Sequence, residues 1–364
     1  MGEWNKLDEM IVHQADPYNA EPPRAALDGM PLTPLDAFYG RNHGSIQQID
    51  PDAWRLTVDG LVGHPLVLSL TDLRRRFEEH TLVATLQCAG NRRAELTEVR
   101  PIPGQLLWGP TAISTARWTG ARLADVLAAA GLRPDARYVA FTATDVSQVP
   151  DPPQPFGGSI PVSKAVAAEV LLAWAMNDAP LPAVHGAPLR VVVPGYIGAR
   201  SVKWVERITA QEHQSDNYFQ ATDYRLLAAD ADPAQAGPGY GLSLGVIAVN
   251  AAILSPDDHQ TLPAGPVRTS GYAITGEDRG IARVDVSVDG GRTWQQADLG
   301  TDDGPWAWRL WQATVDLPPG PTEIIARAWD TSATVQPEHA AHVWNPLGYV
   351  NNSWSRVNVT GRPR

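Results

Sequence analysis

The chain has 364 residues, 43% of them hydrophobic and 19% charged, and its formal net charge at pH 7 is −11. This length favours two domains over one core, and the negative charge argues against nucleic-acid or anionic-membrane partners, which need a positive surface. The one cysteine excludes an internal disulfide. Residues 1–23 contain no apolar leader segment, so the sequence predicts a cytoplasmic protein without a membrane span.

The N-terminal segment is rich in proline and only weakly periodic. Residues 1–37 are therefore predicted to form an extended arm that lies on the first domain.

Short strands and helices alternate in the next part of the chain. Residues 54–63 alternate apolar and polar side chains and predict a strand, and residues 69–77 begin with a capping residue and predict a short helix. Residues 80–88 predict a buried strand that ends at Cys88. Residues 121–131 have apolar positions at helical spacing and a terminal glycine, which indicate a helix.

Three further segments continue this pattern. Residues 137–145 and 189–195 predict strands that run into loops. Residues 164–177 are compatible with either a helix or a strand.

The composition and periodicity of the sequence change after residue 227. Residues 228–241 are mostly small and predict a linker. The remainder consists of short strands separated by turns at roughly eight- to twelve-residue intervals, which is typical of a β-sandwich. The predicted fold class is α+β, with a mixed α/β domain over residues 38–230 and an all-β domain over residues 240–364.

Two glycine-containing motifs invite functional interpretations that their context does not support. Residues 237–245 are rich in glycine but lack the preceding strand and following helix of a phosphate-binding loop. Residues 287–294, SVDGGRTW, match a β-propeller motif that occurs here only once. A hairpin turn is the better prediction, with positive φ at Gly290 and Gly291 and Trp294 packed on the strand.

Cys88 is the first candidate functional residue. A free cysteine after an apolar strand is commonly a small buried hydrophobe. Here turn residues follow, and then Arg92 and Arg93, whose charges favour the thiolate. A soft thiolate at a strand end suits a transition metal, although a nucleophile remains an alternative.

Basic residues form two further clusters. Residues 38–44, FYGRNHG, offer donors on a turn, and residues 185–204 spread His185, Arg190, Arg200 and Lys203 over a strand, a glycine-rich loop and the next strand. Cationic side chains together with exposed backbone N–H groups bind anions and phosphates. These clusters in an acidic chain indicate an anionic ligand of some size.

Six segments in order carry a family resemblance: FYGRNH, TLQCAGNRR, GGSIP, HGAPLRVVVPGYIGARSVKWV, NYFQATDYRLL and VQPEHAAHVWNPLGYVNNSWSRV. Over residues 11–359 the chain resembles the sulfite oxidase family of molybdopterin oxidoreductases, which also contains plant-type nitrate reductase. The resemblance implies the sulfite oxidase fold in the first domain, which would bind one molybdopterin carrying molybdenum. It implies an Ig-like sandwich in the second domain that mediates a homodimer.

The resemblance also implies roles for individual residues. Cys88 would be the protein ligand of the metal, and Arg41, Arg93 and Tyr224 would face the metal with it as catalytic residues. The contacts to the pterin and its phosphate would be Tyr39, Arg41, Asn42, His43, Asp145, His185, Arg190, Ser201 and Lys203. No haem or flavin segment is expected in this chain, so electrons would leave to an external acceptor such as a cytochrome.

One position departs from the family pattern. Leu347, in WNPLG, stands where sulfite oxidases have an arginine that completes the substrate pocket. Oxidation of sulfite, a small oxyanion, to sulfate is the first hypothesis, and reduction of nitrate or another oxo-anion is the alternative. A third hypothesis, from another class, is a cofactor-free protein that serves in binding or dimerisation.

Overall fold

A computed structural model describes residues 3–363, apart from the side chain of Glu3. Residues 1 and 2 of the predicted arm, and residue 364, lie outside the described residues. The structure is mixed and strand-rich, and its α-helices are few and short. They are α1 (Leu70–Arg76), α2 (Arg93–Leu96), α3 (Leu123–Ala130) and α4 (Val162–Ala165).

The N-terminal part of the chain contains two sheets that hold most of its strands. Its strands are β1 (Ile11–Gln14), β2 (Asn19–Glu21), β3 (Leu56–Gly60), β4 (Leu66–Leu68), β5 (Glu79–Gln87), β6 (Ile113–Arg122), β7 (Tyr138–Ser147), β8 (Gln154–Pro161), β9 (Leu171–Met176), β10 (Ala179–Pro180), β11 (Arg190–Val192), β12 (Val205–Gln211) and β13 (Arg225–Leu226). One sheet has the order β10-β9-β6-β5, with β11 also paired to β9, and the other has the order β4-β3-β12-β7-β8.

The described regular elements of the C-terminal part are strands, apart from one 3-10 turn at Ala340–His342. Its strands are β14 (Leu242–Ser243), β15 (Asn250–Ser255), β16 (Gln260–Pro263), β17 (Gly265–Ile274), β18 (Ile281–Ser287), β19 (Gln295–Gln296), β20 (Asp298–Leu299), β21 (Arg309–Leu317), β22 (Gly320–Asp330) and β23 (Ser355–Arg362). Two sheets result, with the orders β15-β17-β21-β20 and β16-β23-β22-β18-β19. Burial alternates along β21 and β23, so each sheet turns one face to a shared apolar core.

Local sequence explains how several elements begin and end. Ser69 and Asp72 form a reciprocal capping box at the start of α1. Gly131, at φ +70°, ends α3 in the left-handed conformation that glycine adopts without a steric penalty. The predicted helix over 121–131 begins later than expected, at Leu123, because Ala121 and Arg122 still pair with β9.

The structure also corrects the bounds of other predicted segments. Residues 164–177, for which a helix and a strand were both predicted as possible, contain both kinds of element. Helix α4 ends at Ala165, and strand β9 starts at Leu171. The predicted strand over 189–195 is shorter, Arg190–Val192, since the chain then turns through Gly195 at φ +79°. The hairpin prediction for 287–294 is confirmed, with Gly290 at φ +74° and Gly291 at φ +82°.

Arg92 joins the turn after β5 to the C-terminal sheets. Its side chain is fully buried, and it donates to Asn250 Oδ1 at 2.8 Å, Ala251 O at 3.0 Å and Ser353 O at 2.8 Å. Glu95 accepts from the same guanidinium at 2.9 and 2.7 Å. The segment that carries Cys88 is therefore held from both parts of the chain.

Within residues 3–363, no helix has both the length and the apolar character needed to cross a bilayer.

Candidate active site

Cys88 follows β5 directly and begins a tight turn. Its amide donates to Ala112 O at 2.9 Å, and the amide of Asn91 donates back to Cys88 O at 3.0 Å. The Gly90 amide donates to Cys88 Sγ at 3.4 Å. Burial raises the pKa of the Cys88 thiol, and the charges of Arg41 and Arg93 oppose that rise. The turn therefore presents a buried sulfur with a donor and two cations near it.

The pocket beside Cys88 gathers residues from both N-terminal sheets and from the loops between them. Eleven of the twelve residues predicted from the sequence line this one cavity: Tyr39, Arg41, Asn42, His43, Cys88, Asp145, His185, Arg190, Ser201, Lys203 and Tyr224. Asp145 comes from β7 and Arg190 from β11, while Lys203 lies just before β12. Strand ends from two sheets thus meet around the thiol.

The cations of this pocket have carbonyl and amide partners instead of carboxylates. Arg190 donates to His185 O at 3.0 Å and to Ser201 O at 2.9 Å. Arg41 donates to Asn19 Oδ1 at 3.2 Å and to the Asn42 carbonyl.

Among the described residues, no carboxylate oxygen lies within 4.0 Å of the Arg41, Arg190 or Lys203 nitrogens. Cations that are buried or half-buried are normally paired, so these three leave positive charge available for an anionic ligand.

The pKa values of Lys203 and Asp145 are both shifted from their ordinary values. Lys203 donates to Val184 O at 3.0 Å and to Asn42 Oδ1. Burial and the charge of Arg190 lower the Lys203 pKa well below its ordinary value, while Asp145 opposes this effect. Burial raises the Asp145 pKa to about 6, against the charge of Lys203. The carboxyl oxygen Asp145 Oδ1 is buried without a hydrogen-bond partner in the described part of the chain, so a ligand donor there would satisfy it.

Tyr224 and His43 form a hydrogen-bonded pair on the same wall. Tyr224 Oη lies 2.8 Å from His43 Nε2, and the His43 ring stacks on Phe156 with 4.6 Å between ring centroids. Burial raises the Tyr224 pKa, so the phenol keeps its proton. Burial and the charges of Arg41 and Lys203 lower the His43 pKa well below its ordinary value, so the imidazole is neutral. Because both groups are neutral, the pair can relay a proton only if one proton leaves as another arrives.

Arg93 is the predicted residue that does not line the cavity. Its Nε donates to Gly348 O at 3.1 Å and its Nη1 to Leu106 O at 2.9 Å, and its guanidinium lies 4.9 Å above the Tyr349 ring. The Arg93 guanidinium packs against Gly90. A Cβ on residue 90 would lie 2.8 Å from that guanidinium, so only glycine leaves room for it. Its charge still lowers the pKa of the Cys88 thiol. Arg93 thus acts on the thiol through its charge, from behind the turn.

The structure adds residues that sequence reasoning missed. Phe156 lines the cavity without a recognisable motif, and Phe38 lines it as the first residue of the FYGRNH segment, although no contact was predicted for it. Tyr349 is buried, lies 5.3 Å from the Tyr224 ring between centroids, and donates to Asp223 Oδ1 at 3.0 Å.

Leu347 faces a different groove, formed with Pro101, Pro103, Trp344 and Pro346 among others. No positive charge reaches the pocket from position 347.

The donor set fits a phosphate-bearing cofactor that brings its own metal ligands. The described residues contain no group of three or more His, Cys, Asp or Glu side chains that could hold a metal ion. A metal at Cys88 would therefore take its remaining ligands from a bound molecule. The unpaired cations and the free oxygen of Asp145 suit the anionic and donor groups of such a molecule.

Two family models match the chain. The model described as oxidoreductase molybdopterin binding domain covers residues 43–219, and the model described as Mo-co oxidoreductase dimerisation domain covers residues 243–362.

Relatives match along nearly the whole sequence. The chain is 44% identical to mitochondrial sulfite oxidase of Rattus norvegicus, over 96% of this chain and 65% of that protein. It is 40% identical to sulfite oxidase of Arabidopsis thaliana, over 95% of this chain and 92% of that protein. The chain thus spans slightly less than two thirds of the rat relative and most of the plant one.

A solved structure is also similar. The sulfane dehydrogenase SoxCD from Paracoccus pantotrophus superposes with a TM-score of 0.82 at 27% identity, over 98% of this chain and 87% of that chain.

Proposed function

This chain belongs to the sulfite oxidase family of molybdopterin oxidoreductases, and we propose that it oxidises sulfite to sulfate. The observation that supports the proposal is a single buried thiol, Cys88, in a pocket where no carboxylate contacts the cations Arg41, Arg190 and Lys203. The names of the rat and plant relatives specify sulfite as the oxyanion. Since Leu347 supplies no cation, the anion would be held with fewer positive charges than in sulfite oxidases that have arginine there.

The pocket residues would hold the cofactor in two groups. Cys88 would bind the molybdenum, and the phosphate and pterin would be held by Tyr39, Asn42, His43, Asp145, His185, Arg190, Ser201 and Lys203. When bound, the molybdenum centre supplies the two-electron redox change and the oxygen atom that turn sulfite into sulfate. Electrons would then pass to an external acceptor, for which a cytochrome and its docking remain predictions.

The chain's own residues bind the substrate and manage its protons. Arg41 would pair with the sulfite oxygens, because a guanidinium offers two parallel donors to an oxyanion. Arg93 would add to the positive potential at Cys88 from behind the turn. The Tyr224–His43 pair would relay a proton released by the incoming water, taking it up on one group as the other group gives one up toward solvent, so that the pair stays neutral. Burial of this wall limits the access of bulk water to the reacting atoms.

A paired assay tests the activity. Protein made in a host that produces the molybdenum cofactor is assayed with sulfite and ferricyanide, and separately with nitrate and reduced viologen. We expect turnover in the first assay and at most slow turnover in the second. Turnover in the second assay alone would support the nitrate alternative, which the apolar Leu347 favours. A protein that binds no molybdenum in that host would instead support the cofactor-free hypothesis.

The C-terminal part is proposed to be an Ig-like sandwich that forms a homodimer. The match of the dimerisation-domain model to residues 243–362 and the two packed sheets support this assignment. Sedimentation analysis of the purified protein tests it, and a monomer at micromolar concentration would contradict it. The predicted domain limits at residues 37, 230 and 240 and the cytoplasmic location remain predictions, and the rat relative is named mitochondrial.

A further inference from the structure

Lys6, in the N-terminal arm, is a buried lysine that the proposed mechanism does not use. Its side chain is 1% exposed, although it comes from a segment at the start of the chain. Lysine is almost never buried to this extent unless specific partners hold it. Burial lowers the Lys6 pKa to about 7, and the nearby charge of Asp36 opposes that change.

Three acceptors surround the Lys6 nitrogen. Nζ donates to Leu35 O at 2.6 Å and to Phe38 O at 2.8 Å, and it lies 2.7 Å from His185 Nε2. A protonated lysine has three N–H donors and no acceptor, so these partners match its ammonium form one for one.

The contact to His185 determines what that ring can offer to a ligand. Burial and the charges of Lys6, Lys203 and Arg190 lower the His185 pKa well below its ordinary value, so the imidazole is neutral. A neutral imidazole carries one proton, and an Nε2 that accepts from Lys6 requires that proton to be on Nδ1. Nδ1–H is then the single N–H of a ring that contacts the Leu35 backbone and lines the pocket.

The same ammonium fixes the chain that enters the pocket. Phe38 precedes Tyr39, and both line the cavity. The Phe38 ring meets His185 edge-on, with 5.0 Å between centroids. The Leu7 amide donates to Asp36 O at 3.1 Å, so the arm is held beside this segment by backbone as well. One side chain therefore links the arm, the segment 35–38 and His185.

We propose that Lys6 is a positioning residue of the cofactor pocket, which holds His185 in its Nδ1–H tautomer and makes the N-terminal arm part of the site. The proposal rests on the proposed function in one respect, that His185 contacts the cofactor. It differs from a purely structural role because it specifies which ring nitrogen of His185 carries the proton.

The tautomer is measured by nitrogen NMR of protein labelled with ¹⁵N-histidine, with the His185 signals assigned by their loss in His185→Asn. At about pH 6, below the Lys6 pKa, the ammonium form dominates. We expect the wild-type His185 to be neutral with its proton on Nδ1. In Lys6→Met we expect a mixture of tautomers or the Nε2–H form. Leu7→Ala, which perturbs arm packing and keeps the ammonium, is the matched control and is expected to retain the wild-type signals.

A wild-type His185 with its proton on Nε2 would overturn the proposal, whether or not Lys6→Met folds. Unchanged His185 signals in a folded Lys6→Met variant would overturn it as well.

Cofactor retention is the second readout. Loss of a partner that orients a ligand-binding histidine commonly weakens the site by about tenfold or more. We therefore expect Lys6→Met to lose molybdenum and pterin about tenfold faster than wild type on dilution. Lys6→Arg, which keeps the positive donors, is expected to lie closer to wild type. Equal loss rates in Lys6→Met and wild type would contradict the proposal, whereas a wild type without molybdenum would defeat the proposed function and leave the tautomer test standing.

Discussion

The Cys88 pocket and the C-terminal pair of sheets both bury charged side chains, but they balance those charges differently. In the C-terminal sheets, Asp285 is fully buried and accepts from Arg283 at 2.6 Å, with Arg327 at 3.4 Å. In the pocket, Arg190 is buried and Lys203 half-buried, and both donate to carbonyl and amide oxygens. In the C-terminal sheets a carboxylate contacts the arginines directly, whereas in the pocket Asp145 and Asp223 act on the cations only from a distance and leave them available to an anionic ligand.

This difference separates residues that stabilise the fold from residues that serve a ligand. Paired buried charges are costly to disturb, because the remaining partner is left without compensation. Unpaired buried cations lower the stability of the free protein and are favoured only when an anion binds. The pocket is therefore expected to tolerate substitution in folding but not in function, and the C-terminal sheets are expected to behave in the opposite way.

Cys88→Ser is expected to have the largest effect of the four substitutions. It should lower turnover and leave the free energy of unfolding nearly unchanged. A hydroxyl is a poor substitute for a soft thiolate at molybdenum, so sulfite oxidation should fall roughly a thousandfold. The free energy of unfolding should change by only about 1 kcal/mol, since serine is nearly isosteric and Cys88 is a buried residue with few polar demands. Ferricyanide-coupled kinetics and denaturant unfolding measure the two quantities. Wild-type rates in this variant would remove Cys88 from the metal.

Asp285→Asn is expected to lower the free energy of unfolding and to leave turnover unchanged. The change replaces a buried carboxylate that accepts charged hydrogen bonds from Arg283 and Arg327 with a neutral amide, and it should lower the free energy of unfolding by about 2 kcal/mol. Turnover per bound molybdenum should remain at the wild-type level, because the residue lies on β18, away from the pocket. Denaturant unfolding followed by tryptophan fluorescence measures the change. A variant as stable as wild type would show that the pairing of this charge is not what stabilises the sheets.

Asp145 gives the pocket a pH dependence that the C-terminal sheets should lack. Its pKa is raised by burial from 3.8 to about 6, so the native state binds the proton more tightly than the unfolded state does. The free energy of unfolding of cofactor-free protein should therefore fall by about 2 kcal/mol as the pH rises from about 4 to about 6. Asp145→Asn should flatten that slope. A slope of the same size in the variant would assign the titration to other groups.

Arg93→Gln is expected to have the smallest effect of the four. Arg93 acts from behind the turn, so its loss should raise the apparent KM for sulfite by about tenfold, a charge effect of about 1.4 kcal/mol. Arg41→Gln, in the cavity wall, is the matched comparison and should raise KM more. Steady-state kinetics over a range of sulfite concentrations measures both. An unchanged KM in Arg93→Gln would exclude its charge from substrate binding.

Much of the local structure could be predicted from the sequence. The strand that ends at Cys88, the helix capped by Ser69 and the turn at Gly290 follow from short-range patterns and are present as predicted. The ends of elements were less predictable, because the start of α3 depends on the pairing of Arg122 with a strand about fifty residues later.

The candidate site also divides into features that the sequence predicted and features that only the structure revealed. The family motifs gave the residue types, and eleven of twelve predicted residues line one cavity. Arg93 was predicted to face the metal, but its carbonyl partners at Leu106 and Gly348 hold it behind the turn. Lys6 carried no sequence signal, and Tyr349 lies in a family segment but was given no role, because the partners of both residues are distant in the chain.

By itself, the sequence determined where strands end, where turns form and which side chains offer a thiolate, an imidazole or a guanidinium. These properties depend on neighbouring residues and on the chemistry of single side chains. Only the tertiary structure decided which charges are compensated, since the partners of Lys6, Arg92 and Lys203 are contributed by separate segments of the chain. Compensation is a property of distance and burial in three dimensions, and it distinguishes the ligand pocket from the stabilising ion pairs.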